Sequence, residues 1–213
     1  MLIPLIALLP IFAALLVLCV LVKSAGGSHF KGWLGESIVN RMCVTQLDPE
    51  HYRTLGDIYL PRPDGMGTTQ IDHIVISQFG IFVIETKNYK GWIFGSEKQR
   101  QWTQQIYRSK HRFQNPLHQN LLHVKALKQF LGFPDDCFHP VVMFVGEAQF
   151  KTPLPSNVLN RGLLPWIRNH TTTLLDSTAV QHAIARLDEL HRATDCKTAA
   201  RDHLTSLNAR IVG

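Results

Sequence analysis

The chain has 213 residues, 45% of them apolar, and a formal net charge of +6. That is enough for one domain with a sizeable core, and it excludes a disordered chain or a repeat array. No P-loop, G-x-G-x-x-G or G-x-S-x-G motif occurs, so neither a nucleotide cofactor nor serine hydrolysis is implied.

Residues 2–22 read LIPLIALLPIFAALLVLCVLV, without a charge. About 20 such residues span the hydrocarbon core of a bilayer, and membrane helices tolerate prolines such as Pro4 and Pro10. A secretory signal would want a basic start and a shorter run. Residues 1–23 are therefore read as an uncleaved transmembrane anchor, ahead of a cleaved signal or a buried core helix. Lys23, Lys31 and Arg41 follow the run. The positive-inside rule then places the N-terminus outside and the rest in the cytoplasm. Residues 24–28, SAGGS, form a short flexible linker. Cys43, Cys137 and Cys196 are far apart, with no C-x-x-C pair. That fits buried thiols in a reducing compartment better than a zinc ribbon or disulfides.

Phe30, Trp33, Leu34, Ile38 and Met42 recur at helical spacing. Tyr52 to Leu60 reads as a strand, with Asp64-Gly65 as a turn. Gln70–Ser77 and Gly80–Lys87 are two β-rich runs around a turn at 77–80. Gly91–Gly95 and Gln99–Gln105 read as a further short pair. Asn115-Pro116 starts a helix with the apolar stripe Leu117, Leu121, Val124, Leu127 and Leu131, ended by Gly132 and Pro134. Pro140–Val145 reads as a buried strand. Asp176 caps a helix over about 177–192, and another follows Asp195. The order predicts a mixed α/β domain over 29–146, with 147–213 a helical extension packed on it.

Chemistry concentrates on the central hairpin. If it is symmetric about the Gln78–Phe79 bond, Ile76 faces Ile81, Ile74 faces Val83 and Asp72 faces Glu85. Alternation then puts Gln70, Asp72, Glu85 and Lys87 on one face, unless a bulge shifts the register. Two partly buried carboxylates repel, and one is forced to stay protonated. A divalent cation reverses that, and Mg²⁺ (or Mn²⁺) is served by two carboxylates, waters and a substrate phosphate. Lys87 can hold the attacking water or stabilise charge developing on phosphate. Ordinary surface residues on a solvated sheet are the alternative, but Ile74, Ile76, Ile81 and Val83 share the face.

Four segments resemble the nuclease-related domain (NERD) family of the restriction-endonuclease-like, PD-(D/E)xK, superfamily. They are GWLGE at 32–36, IDHIVI at 71–76, GIFVIETKNYKG at 80–91 and NPLHQ at 115–119. The resemblance covers roughly residues 29–145. It implies a mixed β-sheet flanked by helices. It also implies Mg²⁺ held by Asp72, Glu85 and the Thr86 main-chain carbonyl, with Lys87 as the superfamily lysine and Glu36 as the acidic residue of the first helix. Ile71 stands where the superfamily name has Pro.

Between Lys87 and Lys128 there are nine Lys or Arg and one acid, Glu97, with Tyr89, Trp92, Trp102 and Tyr107 interleaved. Cations neutralise phosphates and aromatic faces stack on bases. Lys90, Arg108, Lys110 and Arg112 are the candidate nucleic-acid contacts, and Gln119 is a candidate for substrate or a metal-bound water. Attraction to anionic lipid beside the anchor is the other use of this charge. The eleven histidines read as structural or surface residues. The sequence thus points to a membrane-anchored, metal-dependent nuclease, with DNA ahead of RNA. The alternative is a tethered nucleic-acid-binding or scaffold protein with a weak or inactive site.

Overall fold

A computed structural model of the chain describes residues 32–193. The apolar run at 2–22, the linker at 24–28 and the helix expected after Asp195 lie outside the described residues. Among the described residues no helix is long and apolar enough to cross a membrane.

The first helix, α1, covers 32–46. Six strands follow: β1 Arg53–Pro61, β2 Thr68–Ser77, β3 Gly80–Asn88, β4 Gly91–Phe94, β5 Gln101–Ile106 and β6 Ser109–Gln114. Then come α2 Pro116–Leu131, β7 Phe138–Val145, β8 Ala148–Phe150, β9 Val158–Leu159, α3 Leu163–Arg168 and α4 Ser177–Ala193. The expected mixed α/β architecture is present, but as two mixed sheets. The larger has the order β1-β2-β3-β7-β9 and the smaller β6-β5-β4-β8. Residues 147–193 supply two strands as well as helices. β8 and β9 are two or three residues long, too short for a periodic signal, and the polar β6 carries none.

The predicted hairpin register is observed from Ser77 to His73, with Ile76 facing Ile81 and Ile74 facing Val83, but the expected Asp72–Glu85 pair is not made, because the strands part after His73. β7 then joins β3 in parallel, reached through α2. Both faces of the large sheet are buried. Ile74, Ile76, Ile81 and Val83 pack under α2 and α4 with Leu127 and Leu187. Val75, Phe82 and Ile84 pack on the other face with Val39 of α1 and Ile167 of α3. The α2 start is as read from the sequence. Asn115 Oδ1 accepts the Leu117 N–H at 2.9 Å, and Gly132 closes the helix at φ 78°.

Strict alternation does not run the length of β2. Ile71 packs in the same cluster as Ile74, and in β1 Leu55 and Ile58 do likewise. The phase therefore slips by one residue in both strands. It does so where Asp57 takes φ 54° and the paired register skips from Gly56↔His73 to Ile58↔Ile71. This corrects the expectation that Gln70 shares the face of Glu85 and Lys87. Thr69 and Ile71 take that face, and the Gln70 amide donates to Asp57 Oδ1 at 2.9 Å.

The small sheet has one dry face and one wet face. Ile93, Trp102 and Phe113 pack on Val142 and Phe144 of β7. Trp102 is fully buried and stacks on Phe144, with ring centroids 6.2 Å apart and planes at 4°. Gly95 permits this, since a β-carbon there would lie 2.3 Å from the Trp102 ring. Trp102 is therefore unavailable to stack on a base, which corrects the reading of its surroundings as a run of stacking aromatics. Of that set, Trp92 is 45% exposed and Tyr107 is 95% exposed.

Candidate active site

The β2–β3 ladder pairs from Ser77↔Gly80 to His73↔Ile84. One residue further the strands part, at the level of Asp72 and Glu85. There the Thr86 N–H donates to Asp72 Oδ2 at 2.8 Å, so a side chain takes the place of a ladder acceptor. A strand residue directs its N–H and C=O toward the same neighbour. The Thr86 carbonyl therefore points to the side on which Asp72 lies. The parting of the strands is what opens a polar site inside a sheet covered on both faces.

Glu85 is 1% exposed, yet both of its oxygens are satisfied. Lys87 Nζ donates to Oε1 at 2.5 Å, and His123 Nε2 meets Oε2 at 2.9 Å. His123 Nδ1 lies 2.8 Å from Thr69 Oγ1, and Lys87 Nζ also donates to Gln119 Oε1 at 3.1 Å. Gln119 and His123 are four residues apart, hence on one face of α2. That face is held to the sheet by the buried Asn120, whose amide donates to the Val83 and Val141 carbonyls at 2.9 and 3.0 Å.

Electrostatics divide the two carboxylates. Burial raises the Asp72 pKa well above the usual carboxylate range, and the Glu85 charge raises it further, against Lys87 and the Thr86 N–H. Burial works in the same direction on Glu85. There the Lys87 charge, with the hydrogen bond and charge of His123, wins and holds the pKa below normal. Burial would lower the Lys87 pKa, but the charges of Glu85 and Asp72 raise it instead. Glu36 is half-buried on α1. Its pKa is raised by burial and then by Asp57 and Glu85, so it lies within the field of the same site. Gly35 lets α1 approach this closely, since a β-carbon there would meet Asn88 Cβ at 2.8 Å and Val145 Cγ2 at 2.9 Å.

These groups fit a hard divalent cation. Mg²⁺ is usually bound through one or two carboxylates and several waters. Asp72, Glu85 and the Thr86 carbonyl are oxygen donors of that kind. Burial and then the Glu85 charge raise the Asp72 pKa, and a bound cation would oppose both. Among the described residues no three His, Cys, Asp or Glu side chains converge as a ready-made ligand set, so water and substrate would complete the shell.

Of the residues read as nucleic-acid contacts, Gln119 belongs to this buried network. Lys90 lies between β3 and β4, Arg108 in the β5–β6 turn, and Lys110 and Arg112 on β6, all four exposed. His123 is the residue that sequence reasoning missed. The signal was its four-residue spacing from Gln119.

A mixed sheet flanked by helices, carrying two buried carboxylates and a lysine on adjoining strands, defines a nuclease-like domain. The chain belongs to the nuclease-related domain (NERD) family, whose family model matches residues 31–145. It is 49% identical over 116 residues to an uncharacterized protein of Bacillus anthracis, a match covering 52% of this chain. The aligned stretch spans 54% of that relative, so the chain covers about half its length. No solved structure matches.

Proposed function

We propose that the protein is a metal-dependent nuclease that hydrolyses phosphodiester bonds of nucleic acid, DNA ahead of RNA, at the Asp72–Glu85–Lys87 site. The reading is carried by geometry: the buried Glu85 is bonded to both Lys87 and His123, and the Thr86 N–H holds Asp72 beside it. Asp72, Glu85 and the Thr86 carbonyl would hold Mg²⁺ or Mn²⁺, which when bound activates water and neutralises phosphate charge. Lys87 orients the attacking water or stabilises the charge that develops on phosphate. Gln119 and Glu85 fix the position of the Lys87 ammonium. His123, anchored by Thr69, fixes the plane of the Glu85 carboxylate. Glu36 approaches from α1 as a further acidic group. Residues 2–22 would tether the domain to a bilayer with the catalytic part on the cytoplasmic side.

The test uses the full chain in detergent, with labelled linear, circular and single-stranded DNA and RNA, and Mg²⁺ or Mn²⁺. Lys87→Ala and Asp72→Ala should each lower cleavage by about 10²–10³-fold. Cleavage that persists in both variants would falsify the site assignment. A parent that binds nucleic acid tightly and salt-sensitively but never cleaves it would favour a tethered binding or scaffold protein.

A further inference from the structure

The wet face of the small sheet carries a cavity that the hydrolytic site does not use. Its volume is about 890 Å³, and its lining includes Phe94, Arg100, Gln101, Arg112, Gln114 and His118. The strand register explains the grouping. Gln101 faces Gln114 and Thr103 faces Arg112, so these four side chains share the face opposite to Trp102 and Phe113. No carboxylate lines the cavity. Among the described residues neither Arg100 nor Arg112 has an ion-pair partner.

The cavity is built, and it adjoins the site. The Asn115 amide donates to the carbonyls of Ser96, Glu97 and Gln99 at 3.2, 3.1 and 2.7 Å. His118 Nε2 lies 2.7 Å from the Glu97 carbonyl. The loop that carries Arg100 is thereby clamped to the first turn of α2. His118 lines the cavity, and the next residue, Gln119, holds Lys87.

We propose that this cavity binds an unpaired stretch of nucleic acid and leads it to the hydrolytic site, making the substrate single-stranded. The inference rests on the nuclease reading. The chemistry is specific to that ligand class. Arg100 and Arg112 are free to meet phosphates. Phe94 offers a ring for a base. The Gln101 and Gln114 amides each present donors and an acceptor to base edges. A pocket of this size admits separated nucleotides, whereas a duplex presents its bases only through its grooves.

The test is fluorescence anisotropy of a labelled oligonucleotide, single-stranded or duplex, on the full chain in detergent with EDTA, so that binding is read without hydrolysis. The single strand should bind about tenfold tighter than the duplex. Arg100→Ala with Arg112→Ala should weaken single-strand binding at least tenfold and flatten the log–log salt slope by about 1.4, from two phosphate contacts. Gln101→Ala with Gln114→Ala should weaken it several-fold with the slope unchanged. Arg41→Ala with Arg161→Ala removes the same charge outside the lining and should change binding less than threefold. Equal affinity for duplex, or equal losses in the two arginine pairs, overturns the proposal. Cleavage lost in Lys87→Ala with binding indifferent to the cavity variants sinks this inference and leaves the nuclease reading standing. Cavity-dependent binding with no cleavage by the parent overturns the nuclease reading and, with it, the delivery of the strand to a hydrolytic site, leaving only the single-strand binding.

Discussion

The two sheets use similar strand pairing for opposite ends. The large sheet is covered on both faces, and the buried charges of Glu85 and Lys87 are paired with each other. The small sheet is covered on one face only, and its other face carries glutamines, lysine and arginine open to solvent. A buried charge must be paired or neutralised, so the large sheet can hold a charged site only where partners are fixed, as they are around Glu85. A solvated cation needs no partner, which leaves Arg100 and Arg112 free for a ligand. On the proposed function, the hydrolytic chemistry would sit on one sheet and nucleic-acid recognition on the other, with α2 joining them.

The largest expected effect lies at the seam between the sheets. Trp102→Ala should cost about 3–5 kcal/mol in urea-denaturation stability, because it empties the stack on Phe144. Trp92→Ala, on the wet face of the same sheet, should cost less than about 0.5 kcal/mol. Similar losses for the two would mean that the small sheet is not packed on β7.

A second measurement sharpens the contrast through pH. His73 is buried beside the site, and burial pushes its pKa down to about 4. The unfolded chain takes up that proton near the ordinary histidine value, so it binds more protons than the folded chain between the two values. Stability is complete above about 6.5 and declines as pH falls toward 4, by roughly 3 kcal/mol across the window. Denaturation midpoints at several pH values should show this slope, and His73→Gln should flatten it.

Smaller effects probe how α1 and α2 are placed. Gly35→Ala puts a β-carbon against Asn88 and Val145, with an expected loss of about 1–3 kcal/mol and reduced cleavage as Glu36 is displaced. Asn115→Ala removes the α2 cap and the clamp on the 96–99 carbonyls. About 1–2 kcal/mol is expected, together with weaker oligonucleotide binding. A stability loss with unchanged binding would detach the cavity wall from the cap.

Much of the site could be read from local pattern. The hairpin register followed from turn symmetry, and the Asn115 cap and Gly132 stop from residue chemistry. The placement of Gln70 was not legible, because the phase slip depends on Asp57 of the neighbouring strand taking a left-handed conformation. The burial of Trp102 was not legible either, since alternation identifies two faces of a strand without saying which one another sheet will cover. His123 was passed over because its partner, Glu85, is 38 residues away in the chain.

Local pattern and motif were enough for the family resemblance, the elements that carry the site, and the placing of both carboxylates and the lysine on one hairpin. Those properties are local: capping, turn chemistry and a side-chain period of two act over a few residues. Tertiary structure alone decided which face of each sheet is dry, where β2 and β3 part to admit Asp72, and that α2 reaches the buried site with Gln119 and His123 while exposing His118 to the cavity. These depend on how distant segments pack, and packing is settled by burial summed over the whole core rather than by any short run of residues.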